Sequence, residues 1–187
     1  MKRLIIILGL LLLIGCQVST NLETQSQVET VETIPTQEIQ IQNPPAVVTK
    51  IVDGDTIDIN LSGDIERIRI LGIDFPDVSS DRIGKWEEMG LSKERIVKCY
   101  KEGNDWMETM LNQEVILIAD SGEDDKDRYN RSLRYVAWGN DDIGSLLIRQ
   151  GYAVIYDPTK PQCVICEDYK QLEEQVRIEK NGCLWQE

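Results

Sequence analysis

The chain has 187 residues, of which 20 are basic and 33 acidic, for a net charge of −13, and it contains no histidine. That excludes imidazole general-base catalysis and His-ligated zinc, and the acidity works against simple electrostatic attraction of a polyanion. The length allows one domain of ordinary size once any leader is set aside.

The first residues have the pattern of an export signal. Met1, Lys2 and Arg3 precede the apolar run 4–14. Such a run matches a signal-peptide core and falls short of the roughly 18 residues needed to span a bilayer. It ends in "LIGC" (13–16), which resembles the bacterial lipobox. The resemblance implies cleavage before Cys16 and a diacylglycerol on its thiol; a plain signal peptide with an incidental cysteine is the alternative. Residues 17–45 contain no aromatic, glycine, cysteine or basic residue, so they cannot bury enough apolar surface to offset chain entropy and are expected to be a disordered tether. The expected organisation is a lipoprotein signal (1–15), a lipidated cysteine and tether (16–45), and a folded domain (46–187) held at a membrane outside the cytoplasm. Without residues 1–15, 18 basic residues face 33 acidic ones, a net −15.

From residue 46 the pattern changes. "AVVTKIV", "TIDINL" and "IERIRILGID" alternate β-branched and polar residues across the turn sequences "DGDT" and "SGD", and are expected to be three strands. In 102–112, Trp106, Met107, Met110 and Leu111 share one helical face. "EVILIAD" (114–120) and "SLRYVAW" (132–138) supply two more strands. Ile143, Leu146 and Leu147 mark a helix over 142–150, stopped by Gly151. Tyr169, Leu172 and Val176 mark another over 167–181, closed by Gly182. The order βββ–α–ββ–α–α points to a mainly β, α+β fold: an OB-type five-stranded barrel with about three helices.

Charged residues punctuate these strands. Asp53 and Asp55 flank Gly54 in a turn that is common in hairpins. Asp74 and Asp77, however, follow the third strand, and carboxylates at neighbouring strand ends make an oxygen set suited to calcium or magnesium. Arg67 and Arg69 alternate with Ile68 and Ile70, so both point away from that apolar face; Arg67 fits an ordinary surface strand. Arg69 and Asp74 are five apart, which in a flat strand means opposite faces. Gly72 between them marks a bend that resets the alternation, so both are expected to face one site.

"DGDT" (53–56), "RILGIDFPD" (69–77) and "DRYNR" (127–131), with "LIRQGYA" (147–153) and "GCLW" (182–185), resemble the motifs of the staphylococcal nuclease-like (thermonuclease) family. The resemblance spans 46–185. It implies an OB-fold barrel with one calcium ion held by Asp55, Asp74 and the backbone carbonyl of Phe75, and with Asp53 just outside that ligand set. Asp77 would stand at the family's glutamate, which orients or deprotonates the attacking water. Arg69 and Arg131 would grip the scissile phosphate. The implied activity is calcium-dependent hydrolysis of DNA, RNA or both by a monomer, leaving 3′-phosphates. Three features depart from the family pattern: Phe75 where threonine is frequent, Asp77 one methylene short, and an insertion over 78–98. Tyr156 is either a base-stacking or a packing residue, and Glu123-Asp124-Asp125 is expected to be a solvated loop. Two other readings stay open. One is the same barrel as a nucleic-acid-binding module without catalysis; the other is a structural envelope lipoprotein, which leaves the arginines unexplained.

Besides Cys16 there are Cys99, Cys163, Cys166 and Cys183. An exported chain favours two disulfides, with a four-cysteine zinc site as the alternative. If 167–181 is one helix, its ends lie roughly 20 Å apart. Cys183 then cannot reach Cys163 or Cys166, since bonded Cα atoms must lie within about 7 Å. The expected pairs are Cys99–Cys183 and Cys163–Cys166.

Overall fold

The computed structural model describes residues 46–79, 81–156 and 163–186. The leader, Cys16 and the tether lie outside the described residues. β1 (Ala46–Asp53) and β2 (Thr56–Leu61) pair antiparallel across Gly54-Asp55, with Asp53 opposite Thr56. At the next turn Ser62 and Gly63 both take positive φ, 57° and 107°, and Asn60 Oδ1 accepts the Gly63 N–H at 2.7 Å. Two consecutive left-handed residues suit the twist of a two-residue hairpin, and the chain returns as β3 (Asp64–Ile70).

β5 (Glu114–Ile118) pairs with the start of β1, and β6 (Ser132–Trp138) pairs antiparallel with β5. β6 also runs parallel to β3, with Ile68 opposite Ser132, and this pairing closes the five strands into a barrel. Val48, Ile57, Ile59, Ile68, Ile70, Val115, Leu117 and Val136 fill its core. Each such side chain contributes about 1.5–3 kcal/mol on burial. That fixes the register, because a slip of one residue would turn Arg67 and Arg69 inward.

The segment read as one third strand is two pieces. β3 stops at Ile70, and after Leu71-Gly72 the two-residue strand β4 (Ile73–Asp74) pairs with β8 (Val154–Ile155). Gly72 has φ +78°, and a Cβ there would lie 3.0 Å from both Cys163 Sγ and the Tyr169 ring. Glycine supplies the bend and the close approach together. A short strand β7 (Asp141–Asp142) edges β6.

The three expected helices are present with shifted ends, and two short ones accompany them among the described residues. α2 (Lys93–Glu108) begins well before residue 102, where the Ser92 Oγ accepts the Arg95 N–H at 3.3 Å. α3 (Ile143–Arg149) is capped by Asp142, which accepts the Ser145 N–H at 2.7 Å, and α4 spans Cys166–Ile178. The additions are α1 (Ile83–Glu88) and α5 (Gly182–Trp185). A six-residue helix is not stable alone. α1 is held by Trp86, 1% exposed, which packs in a second small core with Ile96, Cys99, Val154, Cys183 and Leu184.

Cys99 is bonded to Cys183 (Cα–Cα 5.6 Å) and Cys163 to Cys166 (5.1 Å). With all four thiols spent, none is left as a thiolate for the zinc alternative. Among the described residues no helix is long and apolar enough to cross a membrane.

Candidate active site

The site is built on the β1–β2 turn and the bend after β3. A Cβ on Gly54 would stand 2.3 Å from the Phe75 ring, and one on Gly103 would stand 2.6 Å from it. Phe75 is therefore wedged between the turn and α2, which holds the segment 74–77 against Asp53-Gly54-Asp55. Its side chain serves packing, so only its backbone is free to act.

Asp55 is 7% exposed. Its Oδ1 accepts the Thr56 hydroxyl at 2.8 Å, and its Oδ2 pairs with Arg69 Nη1 at 2.7 Å. Thr56 and Arg69 are opposite one another on β2 and β3, which sets this meeting. The Arg69 side chain is 13% exposed; Nη2 donates to the Ile73 carbonyl at 2.9 Å and lies 3.7 Å from Asp74 Oδ1. The Gly72 bend makes the second contact possible. Arg69 thus joins two carboxylates from different strands. The other Asp74 oxygen, Oδ2, is paired with the ammonium of Lys85 on α1.

Arg131 approaches from the opposite side. Its Nε and Nη2 lie 2.7 and 2.6 Å from Asp127 Oδ2, and Nη1 donates to the Thr56 hydroxyl at 3.3 Å. Asp127 Oδ1 accepts the N–H groups of Tyr129 and Arg131 at 2.9 and 3.0 Å. Burial pushes the Asp127 carboxyl up, but these hydrogen bonds and the Arg131 charge outweigh it and hold the acid below its usual range. The "DRYNR" loop therefore carries its own arginine holder. One hydroxyl, that of Thr56, connects the Arg131 group to Asp55 and Arg69.

Asp77 is placed differently. Its Oδ1 accepts the Ser79 N–H at 2.8 Å and its Oδ2 lies 3.3 Å from Arg82 Nη1, so both oxygens face its own loop. Burial raises its pKa, yet the Ser79 bonds and Arg82 bring it below the ordinary value. Asp53 is pushed up to about 6, first by burial and then by repulsion from Asp55 and, more weakly, Asp77. The Tyr100 phenol is likewise raised by burial and by the fields of Asp53 and Asp77. These carboxylates lie close enough to repel one another.

The sequence reading missed Thr56, Lys85, Arg82, Tyr100 and Asp127. Asp127 stands four residues before Arg131, and Thr56 follows Asp55 directly, so both carried a spacing signal. Lys85 carried none. Arg67, read as surface, makes a cross-strand pair with Asp58 at 2.7 Å. The acidic loop is not simply solvated, because Asp125 Oδ1 pairs with the buried Arg134 at 2.5 Å. Tyr156 is 59% exposed, and its N–H donates to the Gly72 carbonyl at 2.8 Å.

Among the described residues, no three acidic or cysteine side chains form a ready metal cage. Asp55 and Asp74 nevertheless converge on one guanidinium. Ionised carboxylates only accept, and oxygen pairs of this kind suit a hard divalent cation completed by a carbonyl and water. The donor set fits such a cation once the resident side-chain cations yield.

Residues 67–187 match the family model described as staphylococcal nuclease homologue. The chain belongs to this family. The matched span carries Arg69, Asp74, Asp77 and Arg131; Asp53 and Asp55 precede it, and the fold delivers Asp55 to Arg69. An uncharacterised protein of Bacillus anthracis is 30% identical over 135 residues, which cover 72% of this chain and 58% of that protein. The thermonuclease of Staphylococcus hyicus is 32% identical over 108 residues, covering 57% and 56%. A prophage-derived endonuclease of Bacillus subtilis is 24% identical over 132 residues, covering 70% and 40%. The chain thus spans less than two thirds of the length of these relatives. The five-stranded barrel and its helices accord with the family's fold.

Proposed function

We propose that the chain is a calcium-dependent nuclease that hydrolyses phosphodiester bonds of DNA, RNA or both and leaves 3′-phosphates. The observation that carries this reading is Arg69 held between Asp55 and Asp74, with Arg131 one hydroxyl away. Two guanidinium forks match a phosphate's paired oxygens and would neutralise the charge that builds on them during displacement. Calcium at Asp55, Asp74 and the Phe75 carbonyl, with Asp53 beside them, would supply a Lewis-acid charge at the same phosphate. Asp77 takes the role of accepting the water's proton as its oxygen bonds to phosphorus. The P–O5′ bond breaks, and the leaving 5′-oxygen takes a proton from solvent, to which Asp77 returns its own.

Release of Arg69 from its two acids frees it for substrate, whereas Arg131 keeps Asp127 behind it and presents Nη1. The leader pattern and two disulfides support a lipid-anchored protein outside the cytoplasm. Purified full-length protein incubated with single-stranded DNA should cut it in calcium and not in chelator. Arg69→Ala should lower the rate at least about 100-fold, on the scale of losing one donor to the transition state. Cutting that persists in chelator, or an unaffected Arg69 variant, would remove this reading.

Asp77 favours a second reading. With both of its oxygens turned to Ser79 and Arg82, the same barrel would bind nucleic acid without cutting it. Calcium-dependent retention of DNA on a filter with no product would select that reading.

A further inference from the structure

The described residues of the 78–98 insertion are folded, and α1 among them brings a cation to the site. Trp86 anchors α1 in the second core beside the Cys99–Cys183 bond, and Lys85 precedes it. The Lys85 stem is half-exposed, and its ammonium is bound to Asp74 Oδ2. Buried Glu173 on α4 also lies within its electrostatic reach. Asp74 therefore has both oxygens committed, one to Lys85 and one, more loosely, to Arg69.

We propose that Lys85 is the resident counter-ion of Asp74, which a divalent cation must displace, so that α1 sets the calcium affinity of the site. This inference rests on the functional reading above and extends it to regulation. A compact ammonium on a four-carbon stem can leave without any movement of the helix that carries it. Two carboxylates, Asp55 and Asp74, face two side-chain cations, so their charge is already balanced. A divalent ion added with Lys85 in place would meet an ammonium at one of its own ligand oxygens. Exchange removes that repulsion at the expense of the ion pair. The consequence is a site that binds calcium less tightly than its carboxylates alone would.

Arg82, the residue that begins the same helix, provides the control. It pairs with Asp77, not Asp74, and carries the same charge.

The test is calorimetric titration of the full chain with calcium chloride alone, on parent, Lys85→Gln, Lys85→Arg and Arg82→Gln. Lys85→Gln should bind calcium about three- to tenfold more tightly, the range set by the loss of one partly exposed ion pair and its repulsion. Lys85→Arg should remain within about twofold of the parent. Equal tightening in Arg82→Gln and Lys85→Gln would reduce the effect to general charge and overturn the exchange. A second readout follows from reciprocity: calcium should raise the rate at which Lys85 is reductively methylated, measured by mass spectrometry. Unchanged labelling, or no calcium binding by either parent or Lys85→Gln, also overturns it. A parent that binds calcium by exchange but cuts nothing would leave this inference standing while the nuclease reading falls. A parent that cuts with calcium while Lys85→Gln binds no tighter would do the reverse.

Discussion

Asp77 is a carboxylate one methylene shorter than the glutamate it resembles, and its short arm is what lets it close a turn onto the Ser79 N–H. A glutamate, one methylene longer, would not close that turn in the same way and would be free to reach elsewhere. Asp77→Glu should then preserve or raise the calcium-dependent rate, and Asp77→Ala should lower it at least about tenfold, below the usual general-base contribution of roughly 100. Initial rates on single-stranded DNA at saturating calcium measure both, and an alanine variant as fast as the parent would take the water-activating role away from Asp77. Asp53 gives a different signal, in stability. Its native pKa of about 6 exceeds the ordinary aspartate value of 3.8, so between those values the folded chain holds a proton that the unfolded chain releases. Stability should fall as pH rises through that window and level off above it. In chelator, Asp53→Asn should gain on the parent across the same window, by on the order of 1 kcal/mol after solvent screening, read as the difference in Tm at pH 4 and pH 7. At this scale much was legible. Arg69 and Asp74 could be brought to one face because Gly72 announced the bend. The Lys85–Asp74 pair could not, since nothing in local spacing says where an exposed lysine on an unforeseen helix will land.

Among the elements, α1 shows where periodicity stops being informative. Its six residues include a single fully buried side chain, Trp86, and the partners of that side chain come from α2, β8 and α5. The nearest of those partners, Ile96, lies beyond the i+3 and i+4 neighbours that mark a helical face, so the segment read only as an insertion. The same holds for the first half of α2, where the buried Ile96 and Cys99 stand among Lys93, Glu94, Arg95 and Lys98. The barrel strands were legible because each carries its own alternation and its own turn residues. Removing the anchor tests the difference. Trp86→Ala should cost about 3–5 kcal/mol, seen as a lower urea midpoint. It should leave the β-sheet signal of the barrel intact below that midpoint, because the second core is separate from the barrel core. A loss of under about 1 kcal/mol would mean that α1 is held by its ion pairs rather than by its tryptophan.

For the molecule as a whole, the Cys99–Cys183 bond joins residues 84 apart. In the chain-entropy model it contributes on the order of 4 kcal/mol by restricting the unfolded chain. Replacing both cysteines by serine should lower the guanidinium midpoint accordingly, whereas replacing Cys163 and Cys166, three residues apart, should cost much less through this route. The longer bond also decides the outcome of a backbone cut. Exposed residues 124–126 lie inside the stretch it closes, and a protease that nicks there divides the site. Asp53, Asp55, Arg69, Asp74 and Asp77 fall on one piece and Arg131 on the other. The two pieces remain one covalent molecule of undiminished mass until a reductant reaches the bond, and a denaturing gel run with and without thiol should show one band and then two. Proteolytic clipping under oxidising conditions thus leaves the two arginines covalently joined, and a reducing environment would leave them held together only by the pairing of β6 with β3 and β5.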